Sequence, residues 1–229
     1  MNTRLAVVSK AWDLLLDVVY PPRCGGCDRR GTLFCDDCLL LMTPVPDEMH
    51  GVKGVDVLIC AGAFQTSLRE AIHKLKYKSD TPLAKPLARF LFAAISMDEL
   101  WDEMSADPPT IMCVPLHADR QRSRGFNQSD LIARELSRLT GWALEGGLVR
   151  VKPTHSQVGL SMEERRTNVQ DAFEWHGGQV PRRVLLVDDV CTTGATLSEC
   201  ASVLAKHGAE HIYAATVAKA LSRGSDADS

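Results

Sequence analysis

No stretch of eighteen or more apolar residues occurs in the 229-residue sequence, so hydropathy offers no membrane-spanning helix. The first apolar run is broken by Lys10, Asp13 and Asp17, which does not suit a secretory h-region, and a cytoplasmic protein is expected. Neither sign of charge dominates. The formal net charge is −3, so any attraction to nucleic acid has to come from a local basic patch. Internal repeats are absent. The eight cysteines do not spread like a disulfide framework: four form two C-x-x-C pairs, while Cys60, Cys113, Cys191 and Cys200 stand alone among apolar or small residues. That usage favours a reducing compartment and a metal site. What is present, 45% hydrophobic and 24% charged residues, is enough for one main domain with a small appendage.

Along the chain, Leu5, Val8, Trp12, Leu15, Leu16 and Val19 recur at helical spacing and predict an amphipathic helix, packed on the body of the protein or lying on a membrane surface, that ends before Pro21-Pro22. Residues 21–50 carry the cysteine pairs and are too rich in Gly and Pro to build a core without a staple. Strands are then predicted at Val55–Phe64, Thr110–Leu116, Leu144–Val151, Arg183–Val187 and Ile212–Val217, and helices at Ser67–Tyr77, Leu83–Leu100, Ser129–Leu139 and Ala195–His207. This alternation implies an α/β fold: an open, mainly parallel sheet with helices on both faces. The expected division is 1–50 for the helix and cysteine module, 51–221 for the sheet domain, and 222–229 for a disordered tail.

The most informative segment is Val184–Leu197, VLLVDDVCTTGATL: a buried strand, two acids, and a Thr-Gly turn entering a helix. Ligands of open α/β sheets bind outside the carboxyl ends of the strands. Here Cys191, Thr192, Thr193, Gly194, Ala195 and Thr196 offer backbone N–H groups and hydroxyls for an anion at a helix N-terminus. Asp188 and Asp189 suit a sugar's vicinal hydroxyls, or Mg²⁺. The segment lacks the Gly-Lys-Ser/Thr end of a P-loop. It resembles the phosphoribosyl pyrophosphate (PRPP) signature of type I phosphoribosyltransferases, in which the acids contact ribose and the turn holds the 5′-phosphate.

Two further segments fit that resemblance. In TIMCVPLHADRQRSRGFNQ a strand stops at Pro115 and runs through Leu116 and His117 to Arg120, Arg122 and Arg124, whose forks suit phosphate oxygens. Each arginine taken singly is equally a solvated surface charge. The polar stretch 150–173 contains Thr154, His155, Gln157, Arg165, Arg166 and Asn168, placed where such enzymes keep a mobile hood that excludes water, though it also reads as an ordinary surface connection. His117 and His155 are either phosphate or proton-transfer groups or plain structural residues.

Cys24, Cys27, Cys35 and Cys38 can wrap one tetrahedral ion at Zn–S distances of roughly 2.3 Å. A closed four-sulfur shell is structural, with zinc preferred over an iron–sulfur cluster or disulfides. Taken together, the four-cysteine module, VPLHADRQRSRGFNQ, the Thr-x-x-Gln and Arg-x-x-Asn stretch and VDDVCTTGAT resemble the ComF family, over nearly the whole chain. The resemblance implies PRPP with Mg²⁺ as ligand, structural Zn²⁺, phosphoribosyl transfer to an acceptor the residues do not name, and a link to DNA uptake and natural competence. It also implies possible partners in single-stranded DNA or competence-machinery proteins. The rival expectation is a non-enzymatic PRPP sensor or single-stranded-DNA-binding protein.

Overall fold

A computed structural model describes residues 21–46, 51–152 and 169–221. The expected helix at Leu5–Val19, the hood residues Thr154, His155, Gln157, Arg165, Arg166 and Asn168, and the tail from Ser222 lie outside the described residues.

Four strands, β1 (Val57–Cys60), β2 (Thr110–Cys113), β5 (Arg183–Cys191) and β6 (His211–Lys219), pair in parallel in the order β1-β6-β5-β2. The central strand is anchored by Val184, Leu185, Leu186 and Val187, all fully buried. Burial of each such side chain contributes about 1.5–3 kcal/mol, which fixes β5 in the middle of the sheet. Side chains alternate along it. Leu185 and Val187 face a core shared with α2 (Thr66–Tyr77), α3 (Ala84–Ser96) and α6 (Gln128–Thr140), while Val184 and Leu186 face α7 (Ala195–Lys206). The expected sheet with helices on both faces is therefore present.

Four details differ from the sequence reading, each for a physical reason. The helix expected over Leu83–Leu100 ends early: α3 stops at Ser96, Asp98 turns the chain by accepting from Leu100 N at 3.0 Å, and a separate helix not foreseen, α4 (Trp101–Ala106), starts anew. The strand expected over Leu144–Val151 divides. Glu145 N donates to Ile111 O (3.0 Å) at the edge of β2, and after Gly146-Gly147 the chain forms β3 (Leu148–Arg150), antiparallel to β4 (Phe173–Trp175). Beyond Pro115 the arginines lie on a helix, α5 (Ala118–Arg124), that buries nothing and so leaves no apolar rhythm to read. Finally, β5 runs past Val187 to Cys191, because β6 continues to pair with it through Cys191 opposite Lys219. The acids therefore lie within the strand. β2 pairs only as far as Cys113 opposite Val187, so on that side the sheet opens beside Asp188.

Ahead of the sheet, the four cysteines wrap a short turn and α1 (Asp36–Leu40) against α2. Phe34 packs edge-on against Phe90 of α3, with ring centroids 4.8 Å apart.

Candidate functional site

A cavity of about 540 Å³ lies at the carboxyl ends of β2 and β5. Its wall includes Pro115, Leu116, Arg120 and Arg124 from the segment after β2, Asp188, Asp189 and Cys191 from β5, and Thr192, Gly194, Ala195 and Thr196 from the turn into α7. Residues that the sequence reading assigned to two separate motifs, the arginine segment and the acid-Thr-Gly segment, thus meet at one opening. Two do not line it. His117 caps α5, its Nδ1 accepting from Asp119 N at 3.3 Å, and Thr193 Oγ1 accepts from Ala195 N at 3.4 Å. Cys191 is buried, and its sulfur accepts from Lys219 Nζ at 3.2 Å.

The acids diverge. Asp188 Oδ1 accepts from Ser129 Oγ at 2.7 Å and from Asp189 N at 2.9 Å. Burial, and then the Asp189 charge beside it, push the Asp188 carboxyl up to about 7. Asp189 points instead toward α2, where Lys76 Nζ lies 2.9 Å from Oδ2. Asp189 is only 3% exposed, and the angles leave that buried oxygen with an ionic contact but no hydrogen bond. A buried acceptor of this kind fits a ligand hydroxyl or a divalent cation, which supports the expected ribose and Mg²⁺ chemistry for the pair.

Gly194 closes the turn in a left-handed conformation (φ +78°), and a Cβ there would approach Val52 Cγ2 to 2.7 Å. Both conformation and space demand glycine. Gly194→Ala is expected to lower unfolding stability by about 1–3 kcal/mol, read by urea titration.

The arginines separate by helical spacing. Arg120 and Arg124, four apart on α5, line the cavity, and Arg124 lies 5.4 Å over the Tyr77 ring while donating to Gln128 Oε1. Arg122 is off that wall, 74% exposed, and pairs with Asp119. Asn127, buried, serves the backbone: its Nδ2 donates to Val114 O at 3.0 Å and its Oδ1 accepts from Ser129 N at the start of α6.

Sequence reasoning missed one whole wall. Arg69, Ile72, His73, Lys76 and Tyr77 form a single stripe of α2 that faces the cavity. Their periodicity was visible, but a solvated helix face has the same pattern. Arg150 of β3 was also missed. It is 7% exposed, reaches the cavity, and lies 5.3 Å over the Phe173 ring; burial and then Arg120 push its pKa down. Two cations near the same space favour an anion there.

The opposite side of α2 holds the cysteine module. The four Sγ atoms lie within 4.8 Å of one another, with Cys35 Sγ 3.6 Å from both Cys24 Sγ and Cys27 Sγ. For Cys24, burial is outweighed by backbone hydrogen bonds from Cys27, Cys35 and Gly26, and its thiol falls to about 6; burial and the other sulfurs push Cys38 up. Four sulfurs this close cannot all ionise without a cation among them, and the set can hold a metal. Gly26 is obligatory, since a Cβ would approach Cys38 Sγ to 2.6 Å. Ser67 Oγ donates to Cys38 O at 2.7 Å, and buried Lys74 donates to Cys24 O at 3.2 Å while pairing with Asp28 at 2.9 Å.

A parallel sheet whose central strand carries adjacent acids into a Thr-Gly turn, opposite an arginine-bearing segment, defines a protein of the phosphoribosyltransferase class, and the phosphoribosyl transferase domain family matches residues 123–229. The chain is 34% identical over 203 residues to "Competence protein F" of Haemophilus influenzae, covering 87% of this chain and 85% of that protein. It is 32% identical over 195 residues to "DNA utilization protein YhgH" of Escherichia coli K12, covering 84% and 81%. With "Competence protein ComFC" of Streptococcus pneumoniae it shares 25% identity over 197 residues, covering 82% and 84%. The chain belongs to the ComF family. Among the described residues no helix is long and apolar enough to cross a membrane.

Proposed function

We propose that this cavity binds PRPP with Mg²⁺ and that the chain transfers the phosphoribosyl group to an acceptor, in a pathway serving the handling of incoming DNA. One observation carries the reading: Asp188, Asp189 and the Thr192–Thr196 turn share a cavity with Arg120 and Arg124. In it, the acids accept from the ribose hydroxyls and the α7 N-terminus takes the 5′-phosphate. Arg120 and Arg124 take the negative charge that grows on the departing pyrophosphate. Asp188 and Asp189 would hold Mg²⁺, whose charge would further neutralise that leaving group. Thr154, Gln157, Arg165 and Asn168 belong to the hood in this reading, covering the anomeric carbon against water. Zn²⁺ on Cys24, Cys27, Cys35 and Cys38 would fix the shape of the turn that packs on α2 and α3 through Ser67, Lys74 and Phe90, at the junction of the expected 1–50 and 51–221 units. The link to DNA rests on the names of the relatives, two of which are called competence proteins and one a DNA utilization protein. Release of pyrophosphate from PRPP across a panel of acceptors tests the transfer step, and binding of PRPP without any release would reduce the protein to a sensor.

A second reading, single-stranded DNA binding, is favoured by the surface of α5 and α2, where Arg124 lies over a Tyr77 that is 60% exposed and α5 also carries the exposed Arg122. Cations interleaved with an aromatic suit nucleic-acid backbone and base. Arg122 lies off the cavity wall, so Arg122→Ala separates the two readings. DNA retention in a shift assay should fall with a salt slope lower by about one, while PRPP affinity is unchanged. No retention by the native protein at low salt would remove the DNA reading.

A further inference from the structure

Helix α2 brings a lysine into a site built otherwise from acids, hydroxyls and arginines. Lys76 Nζ stands 2.9 Å from Asp189 Oδ2, its side chain 21% exposed and that of Asp189 4%. A sugar hydroxyl or a divalent cation bound at Oδ2 would compete with the ammonium that stands 2.9 Å from it. The lysine stem has four carbons and keeps a solvent edge, so it can swing, whereas the carboxylate is fixed in β5. Its direction of travel is also defined. The next residue, Tyr77, lies under Arg124, and Arg69, His73 and Tyr77 line the same cavity on the same stripe, so Lys76 borders its arginine side.

Charge balance gives this arrangement a function. Withdrawing the ammonium from a buried carboxylate is costly unless another cation replaces it. A divalent ion arriving with a diphosphate does this, because it takes over Asp189 while its phosphates provide a new partner for Lys76. A sugar bearing only a 5′-phosphate offers no such partner beside the arginines.

We propose that Lys76 is the specificity-determining residue of the site, an exchangeable counter-ion that neutralises Asp189 until a diphosphate-bearing sugar and its divalent cation displace it onto the leaving-group phosphates. The proposal rests on the PRPP reading for the identity of the ligand, and on the Lys76–Asp189 pair for the exchange. No bond is made or broken in this step. The ammonium moves between two anions.

The test compares native protein with Lys76→Met and Lys76→Arg, using Mn²⁺ alone, ribose 5-phosphate with Mn²⁺, and PRPP with Mn²⁺. Free Mn²⁺ is followed by its paramagnetic resonance signal, and the sugars by calorimetry. Lys76→Met should bind Mn²⁺ alone at least tenfold more tightly, since the competing ammonium is gone. Its preference for PRPP over ribose 5-phosphate should fall at least tenfold. Lys76→Arg keeps the charge and should retain most of both native properties. An unchanged preference ratio in Lys76→Met overturns the proposal, whatever happens to Mn²⁺. If the native protein binds neither sugar phosphate, the PRPP reading fails, and the counter-ion role is judged by the Mn²⁺ affinity of Lys76→Met alone. A measurement on the native chain guards against a misfolded variant. Acetylation of Lys76, quantified by mass spectrometry, should rise with Mn²⁺ and fall when PRPP is added with it; no response to either overturns the exchange.

Discussion

Asp188→Asn combined with Asp189→Asn is expected to weaken PRPP binding in the presence of Mg²⁺ by at least 100-fold, about 2.7 kcal/mol, as read by calorimetry. The size of the effect follows from what the acids face. Asp189 Oδ2 is buried without a hydrogen bond, and an amide oxygen brings a divalent cation no negative charge in place of the carboxylate's. The fold should tolerate the change. Burial already disfavours the charge on Asp188, so a neutral amide removes a group that is costly to ionise there, and its oxygen can still accept from Ser129 Oγ. Lys76 loses its partner, but its side chain reaches solvent. A thermal midpoint within a few degrees of native, together with lost PRPP binding, is the expected pair of results. Undiminished PRPP affinity in the double variant would falsify the assignment of the acids to the sugar.

The other large effect belongs to the cysteines. The purified protein is expected to contain one zinc per chain by mass spectrometry, and Cys24→Ser or Cys38→Ser should remove it. Metal binding of this type is folding free energy, about 10–16 kcal/mol in isolated zinc-finger peptides. Here part of the module is also held by packing on α2 and α3, so a loss of about 3–5 kcal/mol and a melting point lower by about 10 °C are expected. Chelation of the native protein should reproduce the shift, and re-addition of Zn²⁺ should reverse it. Iron in place of zinc, or melting unaffected by cysteine replacement, would dismiss the structural zinc.

Much of this was legible because the informative signals are local. The apolar run Val184–Val187 announces a buried strand by itself, the two C-x-x-C pairs announce a metal-binding geometry, and the Thr-Gly turn announces a helix start. What sequence reading lost depends on distant partners. The end of β5 is set by β6, about 28 residues further on, and not by anything within Asp188–Cys191. Lys76 meets Asp189 across more than a hundred residues of chain, and no local pattern separates that lysine from Lys74, which turns the other way to hold the cysteine module, or from Lys78. The arginine helix α5 escaped because it buries no side chain, so hydrophobic periodicity has nothing to register.

Helix α2 presents a different partner on each of three faces. Ser67, Ala71 and Lys74 are covered by the cysteine turn, Arg69, His73 and Lys76 belong to the cavity, and Leu68, Ile72 and Leu75 are fully buried in the core. The seam between the cysteine turn and the sheet domain is thus lined with apolar atoms, among them Leu33 and Phe34. Cutting the chain at that seam would bare an oily groove beside the ligand pocket. The cysteine turn is thus an outer wall of the core, and removing it is expected to leave a chain more prone to aggregate.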